Sequence, residues 1–406
     1  MKKFVKHARR PRVALLVESS RGYGRGVLWG VAKFVRQNDS WSIFFQDLNL
    51  CDDTPGWLKN WRGDGIISRL ENRDVVQVIE QLKVPAVYLR HANPKLGKPG
   101  ILADNTAISR LCGEHLKERG FRHFAFCGFN GADYSDERRD SFVDFVRRAG
   151  FPCHVYTDSA PLPKGDTAQY EGLGLKDGGE VANWIKKLPK PIGLMACNDM
   201  RGQQVLDACR ATGVASPEEI AVIGVDNDDV LCNLSDPPLS SVVPNAERIG
   251  YEAAALLARM MAGAKIPAGE IFVAPSGIVT RRSTDVLAME DRQIAAAARF
   301  IREHACDGID VADVLRAAPM SRSTLDRRFL KLLGRSPKDE ILRIRLDRVK
   351  QLLAETDFSL SIIAEKVGLA HVEHLSRIFK SRLKVTPSEY RAQALTNVTK
   401  NVNSFP

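Results

Sequence analysis

Val311-Ala-Asp-Val-Leu-Arg-Ala-Ala-Pro-Met-Ser-Arg-Ser-Thr-Leu-Asp-Arg-Arg-Phe329 and Ser361-Ile-Ile-Ala-Glu-Lys-Val-Gly-Leu-Ala-His-Val-Glu-His-Leu-Ser-Arg-Ile-Phe379 are two copies of one pattern. A gap-free shift of fifty residues aligns Leu325 with Leu375, Arg327 with Arg377, Phe329 with Phe379, Leu333 with Leu383 and Pro337 with Pro387. A repeat is read before anything else because it sets the architecture. Each copy reads as a short apolar helix (Val311 to Ala317; Ile362 to Val367), a tight turn and a longer second helix. Pro319 and Gly368 stop the first helices. Ser321 is placed to cap the second helix of copy one.

In the second helices Leu325, Phe329 and Leu332, and Leu375, Phe379 and Leu383, recur at helical spacing, so each helix buries one face. The opposite face carries Arg322, Ser323, Asp326, Arg327 and Lys331 in copy one, and Glu373, His374, Arg377 and Lys380 in copy two. A helix with these side chains fits the major groove of double-stranded DNA, whose base edges such groups read. Between the copies, Lys338 to Glu355 holds no glycine or proline. Ile341, Ile344, Leu346, Val349, Leu352 and Leu353 give it an apolar face, so it reads as one linker helix. Readers held about one DNA turn apart, roughly 34 Å, enter successive major grooves. The bland alternative is a helical bundle with basic solvated faces.

The stretches Ile362-Ile-Ala-Glu-Lys-Val-Gly368, Leu375-Ser-Arg-Ile-Phe-Lys380 and Thr386-Pro-Ser-Glu-Tyr390 carry a family resemblance. With them, residues 290 to 392 resemble the DNA-binding domain of the AraC/XylS regulators.

The whole chain has 406 residues and a formal charge of +10. That length allows two or three domains. The basic balance suits a polyanionic partner but is weak evidence by itself. It is sharper where localised: Ser321 to Arg335 holds Arg322, Arg327, Arg328, Lys331 and Arg335 against Asp326. The eight cysteines show no C-x-x-C pair, which speaks against a zinc or disulfide framework and fits reduced buried thiols. The apolar run Val13 to Val17 is too short for a signal peptide, and no run approaches a membrane span. A cytoplasmic protein is expected.

Residues 11 to 285 alternate short apolar strands with amphipathic helices. Expected strands are Val13 to Val17, Trp41 to Phe45, Gly65 to Ile67, Ala86 to Leu89, Ile101 to Ala103, His123 to Cys127, Cys153 to Tyr156, Gly193 to Ala196 and Ala221 to Gly224. Expected helices include Gly26 to Val35, Asn105 to Glu118, Asp140 to Arg148, Val181 to Lys186 and Gly202 to Ala211. This alternation implies parallel sheets covered by helices. Two series of it imply two lobes, with a ligand cleft beyond the carboxyl ends of the strands.

Ala103-Asp-Asn105, Gly120-Phe-Arg-His-Phe124, Ala196-Cys-Asn-Asp199 and Ser216-Pro-Glu-Glu-Ile-Ala-Val-Ile-Gly-Val-Asp-Asn227 resemble the LacI and periplasmic sugar-binding family. The resemblance covers Arg12 to Ser283 and implies a sugar effector. It places the family's sugar ligands on Ser19, Asp104, Arg138, Asn198 and Asp226. Carboxylates, amides and an arginine fork suit vicinal hydroxyls, which both donate and accept. Alternatives stay open: Asp104 also fits a helix N-cap, Asp226 a turn aspartate, and Arg139 stands beside Arg138. Tyr23 or Tyr134 would supply a wall for a sugar ring, or pack in the core.

Gly22-Tyr-Gly-Arg-Gly26 resembles a nucleotide loop, but Val27 stands where a third glycine belongs and no Walker lysine follows. The glycines are read as letting the chain turn near the cleft. His371 and His374, three apart, could nominally bind a metal, but no cysteine is near and the position faces the groove.

The fold class is therefore an α/β two-lobed periplasmic-binding-protein-like effector domain over 1–285, an all-α domain with two helix-turn-helix motifs over 286–394, and a polar tail over 395–406. No Gly/Ser linker separates the two domains. With the reader at the carboxyl end, the combination resembles XylR-type, xylose-responsive activators. It implies D-xylose as effector, a homodimer, and RNA polymerase as a partner at promoter DNA. No catalytic residue, metal or cofactor is expected. A transport binding protein would need export and no reader. A sugar-processing enzyme would need a nucleotide, metal or nucleophile motif that the sequence lacks.

Overall fold

The computed structural model describes residues 9–38, 41–47, 54–70, 73–90, 99–157, 178–267, 269–286, 291–356 and 358–392. The tail over 395–406 lies outside them. The chain divides into two compact units, Met1–Ala288 and Met289–Pro406.

The first unit is built on twelve strands: β1 (Arg12–Leu16), β2 (Ser42–Phe45), β3 (Gly65–Ser68), β4 (Ala86–Tyr88), β5 (Gly100–Ala103), β6 (His123–Cys127), β7 (Cys153–Val155), β8 (Ile192–Ala196), β9 (Ile220–Val225), β10 (Ser240–Val243), β11 (Glu270–Val273) and β12 (Gly277–Val279). They form two six-stranded sheets in the orders β11-β5-β4-β3-β1-β2 and β12-β10-β9-β8-β6-β7. Pairing is parallel throughout the first sheet, with Val13 opposite both Ile43 and Gly65. In the second sheet β12 runs antiparallel to β10. Central strands such as Ile220–Val225 are buried at every position, which is why they read as unbroken apolar runs rather than alternating ones.

The two lobes are not consecutive in sequence. The chain crosses between them after β5, after β10 and after β11. The crossing segments are tied together, Asp104 donating its N–H to the Val273 carbonyl at 3.0 Å and Ser276 to that of Val243 at 2.9 Å. Two successive series of strands and helices therefore describe the lobes incompletely. β11 returns to the first lobe and β12 to the second, and no local feature of so short a strand says which sheet it will join.

Several helices begin earlier than apolar periodicity indicates. They run Gly22–Gln37, Asp133–Arg148 and Asp199–Thr212. Apolar periodicity misses the first turns because what they bury is largely small or polar, as at Gly24, Ser135, Arg138, Asp199 and Arg201. The start at Gly22 corrects the reading of Gly22-Tyr-Gly-Arg-Gly26 as a turn. These glycines lie inside a helix and belong to a packing stripe. A Cβ on Gly26 would meet Ala246 Cβ at 2.9 Å, one on Gly30 the Glu247 carbonyl oxygen at 1.9 Å, and one on Gly250 the Val27 carbonyl oxygen at 2.0 Å. Helices Gly22–Gln37 and Ala246–Met261 thus cross backbone to backbone. They seal one face of the first sheet with Val27, Val31, Phe34, Ile249, Ala253 and Leu257.

The second unit is all helical. Its helices are Arg292–His304, Val311–Ala317, Arg322–Leu333, Pro337–Glu355, Leu360–Lys366 and Val372–Leu383, followed by helical residues 387–392. Every one of these helix starts except that of Val372–Leu383 carries a side-chain cap. Asp310 and Asp313 form a capping box, and Ser321, Ser336 and Ser359 each accept a backbone N–H. The repeat extends to the helix ends, where Gly334 (φ 68°) and Lys384 (φ 65°) occupy equivalent left-handed caps. Leu325, Phe329, Leu375 and Phe379 are wholly buried. Leu346, Val349, Leu352 and Leu353 of the linker helix join the core of the second motif. Arg345 ties the same helix to the segment leading into the first motif through the carbonyls of Ala305 (2.6 Å) and Ile309 (2.8 Å). Gly368 is needed for close approach, since a Cβ there would lie 2.3 Å from Gly308 N.

The helix crossing gives a stability prediction. Gly30→Ala overpacks a backbone contact and is expected to cost about 3 kcal/mol, the upper end for overpacking. Gly56→Ala, where a Cβ meets nothing within 4 Å, is expected to stay within about 0.5 kcal/mol of wild type. Urea unfolding of the two variants makes the comparison.

Candidate functional site

The strands of the first unit deliver chemically active side chains at their carboxyl ends. β1 leads to Glu18 and Ser19, β3 to Arg69, β5 to Asp104 and Asn105, β8 to Asn198 and β9 to Asp226. Helix Asp133–Arg148, after β6, adds Tyr134 and Arg138.

Arg138 is the centre of this group and is 4 % exposed. Its Nε donates to Asn105 Oδ1 at 2.9 Å and its Nη1 to the Cys197 carbonyl at 2.5 Å. Its Nη2 lies 3.9 Å from Asp226 Oδ1, and the guanidinium sits 5.2 Å from the Tyr134 ring centroid. Arg139 is instead taken up by Asp136 and Asp140 on its own helix. Asn198 caps helix Asp199–Thr212 through Oδ1 and donates from Nδ2 to the Tyr134 hydroxyl at 3.1 Å. The structure thus brings Arg138, Asn198 and Asp226 together around Tyr134. Asp104 sits beside Asn105 and is the N-cap of helix Asn105–Glu118, accepting from Ala107 N at 2.8 Å. Ser19 is partly buried and hydrogen-bonds Asp47; among the described residues no hydrogen bond joins it to the Arg138 group.

The first lobe contributes a second group that sequence reading missed. Glu18 is wholly buried and ion-pairs with Arg69. The Arg69 guanidinium lies 4.4 Å from the Tyr23 ring centroid. Glu18 Oε2 and Arg69 Nε have no hydrogen-bond partner among the described residues. Burial raises the Tyr23 pKa, and the charges of Arg69, Asp226, Arg138 and Glu18 all act on its hydroxyl. The groups of the two lobes are therefore electrostatic neighbours. Arg90 of the first lobe also lies 5.6 Å from the Tyr134 ring centroid. A signal was available: Glu18 and Arg69 are charged residues directly following buried apolar strands. The two acid–base pairs cancel, which suits an uncharged ligand rich in hydroxyls rather than an anion or a cation.

A buried carboxyl supports Asp226 from beneath. Asp199 is pushed up to about 8 by burial, with the Asp226 charge adding to the shift. The Ser241 hydroxyl donates to its Oδ1 at 2.5 Å and the Asp228 N–H to its Oδ2 at 2.8 Å. Asp228 in turn joins the lobes. Its Oδ1 accepts Val230 N–H at 3.1 Å, capping helix Asp229–Leu234. Its Oδ2 accepts Gly22 N–H at 2.7 Å and lies 3.4 Å from Arg25 Nη2. One carboxylate thus meets the amino ends of two helices, one from each lobe, where helix dipoles favour negative charge.

In the second unit, Arg322, Ser323, Arg327 and Lys331 are exposed on helix Arg322–Leu333, and Asp326 is partly so. Glu373, His374, Arg377 and Lys380 are exposed on helix Val372–Leu383. Arg322 lies 3.9 Å from Asp326. No group of three or more metal-ligating side chains occurs among the described residues. No helix among them is long and apolar enough to cross a membrane.

Residues 12–93 match the family described as the XylR N-terminal domain, 114–284 a periplasmic-binding-protein-like domain, and 314–393 a helix-turn-helix domain. The chain is 32% identical to the xylose operon regulatory protein of Escherichia coli K12 over 395 residues, 94% of this chain and 97% of that one. It is 30% identical to the same-named protein of Haemophilus influenzae, covering 94% and 98%. The solved structure of the xylose-binding transcription activator XylR superposes with a TM-score of 0.78 at 30% identity, over 95% of this chain and 98% of that one. A transcriptional regulator CelR bound to cellobiose matches with a TM-score of 0.55 at 21% identity over 68% of this chain and 85% of that one, a likeness of fold.

Asp199 supplies a pH prediction. Its carboxyl keeps a proton to about pH 8 in the folded protein, against an ordinary value of 3.8. Between these values the folded state holds one proton more than the unfolded chain. The group's contribution is therefore full at acid pH and is lost as pH rises through that window. Urea unfolding at about pH 5 and about pH 7.5 is expected to show a larger loss in wild type than in Asp199→Asn. Equal losses would place an ionised Asp199 in the folded state.

Proposed function

The chain belongs to the family of xylose operon regulatory proteins, and from that membership we propose that D-xylose, held between the lobes of its first unit, governs how its two helix-turn-helix motifs engage promoter DNA. The protein is a sugar-responsive transcription regulator, not an enzyme. The observation that carries the sugar site is the pair, 3.9 Å apart, of Arg138 on its helix and Asp226 at the end of β9, with Asn198 and Tyr134 beside it.

In this reading Asp226 and Arg138 take adjacent hydroxyls of the pentose as acceptor and donor fork. Asn198 and Asp104 contribute further polar atoms, Ser19 borders the same cleft, and Tyr134 offers a ring face. Glu18 and Arg69 face the sugar from the first lobe, where the carboxylate oxygen and guanidinium nitrogen without partners among the described residues suit further hydroxyls. The reader helices contact bases and phosphates through Arg322, Ser323, Asp326, Arg327 and Lys331, and through Glu373, His374, Arg377 and Lys380. Their exposure supports that role. The protein acts as a homodimer that recruits RNA polymerase, and exposed apolar side chains on the first lobe, such as Trp29 and Ile43, favour pairing between copies. The sugar acts by binding the DNA-competent arrangement more tightly than the alternative, without which no switch is possible.

Thermal unfolding against D-xylose, L-arabinose, D-ribose and D-glucose tests the sugar. A ligand at 100 times its dissociation constant adds about 2.7 kcal/mol, and D-xylose is expected to give this shift in wild type but not in Asp226→Ala. A panel with no shift overturns the sugar reading. For DNA, Arg327→Ala and Arg377→Ala are each expected to weaken binding by roughly 1–3 kcal/mol. Affinity is expected to fall steeply with salt, and a flat salt dependence would count against the readers.

A further inference from the structure

The loop Asp226-Asn-Asp-Asp229 makes contacts in three directions. Asp226 faces Arg138 in the cleft, and Asp228 reaches Gly22 and Arg25 of the first lobe. Asn227 and Asp229 turn the other way, toward Arg281. Arg281 Nη1 donates to Asn227 Oδ1 at 2.9 Å and its Nη2 to Asp229 Oδ1 at 2.9 Å. Nη1 also donates to the Leu239 carbonyl at 3.0 Å. The loop backbone is held in an uncommon shape, with φ of 110° at Asp226 and 48° at Asn227. Asn227 N–H donates to Ser241 Oγ at 3.0 Å and Asp228 N–H to Asp199 Oδ2 at 2.8 Å. Non-glycine residues persist in such conformations only where their surroundings over-determine them.

Arg281 stands at the root of the segment through which the chain leaves the first unit. The next residues are clamped. Ser240 Oγ donates to the Arg281 carbonyl at 2.9 Å, and Ser283 Oγ donates to the Val222 carbonyl at 2.6 Å. Thr284 Oγ1 donates to Ser240 Oγ at 2.7 Å and lies 2.8 Å from His115 Nε2. Arg119 Nε donates to the Thr284 carbonyl at 2.7 Å. Seven residues after Thr284, Asp291 caps the first helix of the DNA-binding unit.

We infer that Arg281 is a positioning residue that couples the effector loop to this exit segment, so that what the loop senses at Asp226 and Asp228 is passed toward the DNA-binding unit. The inference rests on the sugar reading above. The hydroxyl clamp already secures the segment to the second lobe, so Arg281 is not required merely to hold it. Its bond to Asp229, whose side chain is 77% exposed, is of the kind that adds little to stability. What it adds is a direct link between the sugar-facing loop and the exit.

The test uses the full chain, D-xylose, and duplex DNA selected by the protein itself from a random-sequence pool. Arg281→Met removes the link from one side. Asn227→Gly combined with Asp229→Ala removes both side-chain partners of Arg281 on the loop, with glycine accepting the loop's φ at 227. Both are expected to bind D-xylose, and to bind DNA without sugar, within about threefold of wild type. The ratio of DNA affinities with and without D-xylose, typically about 5- to 150-fold for coupled sites, is expected to collapse toward one. Arg281→Lys, which keeps a donor, is expected to restore part of the ratio. If both variants keep the wild-type ratio, or lose sugar binding in step with it, the inference is overturned. Wild type that binds no D-xylose sinks the sugar reading itself, and with it this inference. Wild type that responds while the variants respond equally sinks the inference alone.

Discussion

The Asp228 carboxylate is the point on which the first unit depends. It meets Gly22 N–H and Arg25 across the lobes while capping a helix of its own lobe. Burying a carboxylate is unfavourable unless donors surround it, and here two helix amino ends and a guanidinium do so. The contact requires glycine at position 22, where a Cβ would lie 2.9 Å from Asp228 Oδ2. The same helix continues into the Gly30 and Gly250 crossing, so one stripe of glycines serves both the lobe contact and the core of the first lobe.

Charges in the cleft are arranged as pairs. Glu18 answers Arg69 in one lobe and Arg138 answers Asp226 in the other. Paired charges leave polar atoms for a neutral ligand without creating a field that selects ions. Beneath them Asp199 is held in its protonated form near neutrality by burial, which spares Asp226 a second negative charge at close range. The loop that carries Asp226 therefore combines local strain, a buried neutral carboxyl and contacts in three directions. Such a combination suits an element with two arrangements better than one with a purely structural task.

The second unit follows simpler rules. Each motif buries one leucine and one phenylalanine completely and leaves its charged face in solvent. The linker helix has no interior breaker and starts on a Ser336 cap with Pro337 at its first turn. Its apolar contacts reach the second motif and its Arg345 the segment leading into the first. The two copies differ where function would differ: Arg322 and Ser323 of the first stand against Val372 and Glu373 of the second.

Much was legible in the sequence because it is written in local signals. The repeat, the helix caps and the buried strands follow from spacing, serine and aspartate placement, and apolar runs. Helix Asn105–Glu118 and strand His123–Cys127 appear with the bounds that their pattern indicates. Of the residues singled out by resemblance, Ser19, Asp104, Asn198 and Asp226 follow strands and Arg138 lies on a helix, and Arg138, Asn198 and Asp226 stand close together. What the tertiary structure alone decided was long-range. It set which lobe β11 and β12 join, that Gly26 and Gly30 face another helix rather than a turn, that Glu18 meets Arg69, and that Asp228 and Arg281 link loop, lobe and exit. These pairings lie from about fifty to more than two hundred residues apart in the chain. A local window holds the propensity of each partner but not their meeting, which packing of the two sheets brings about.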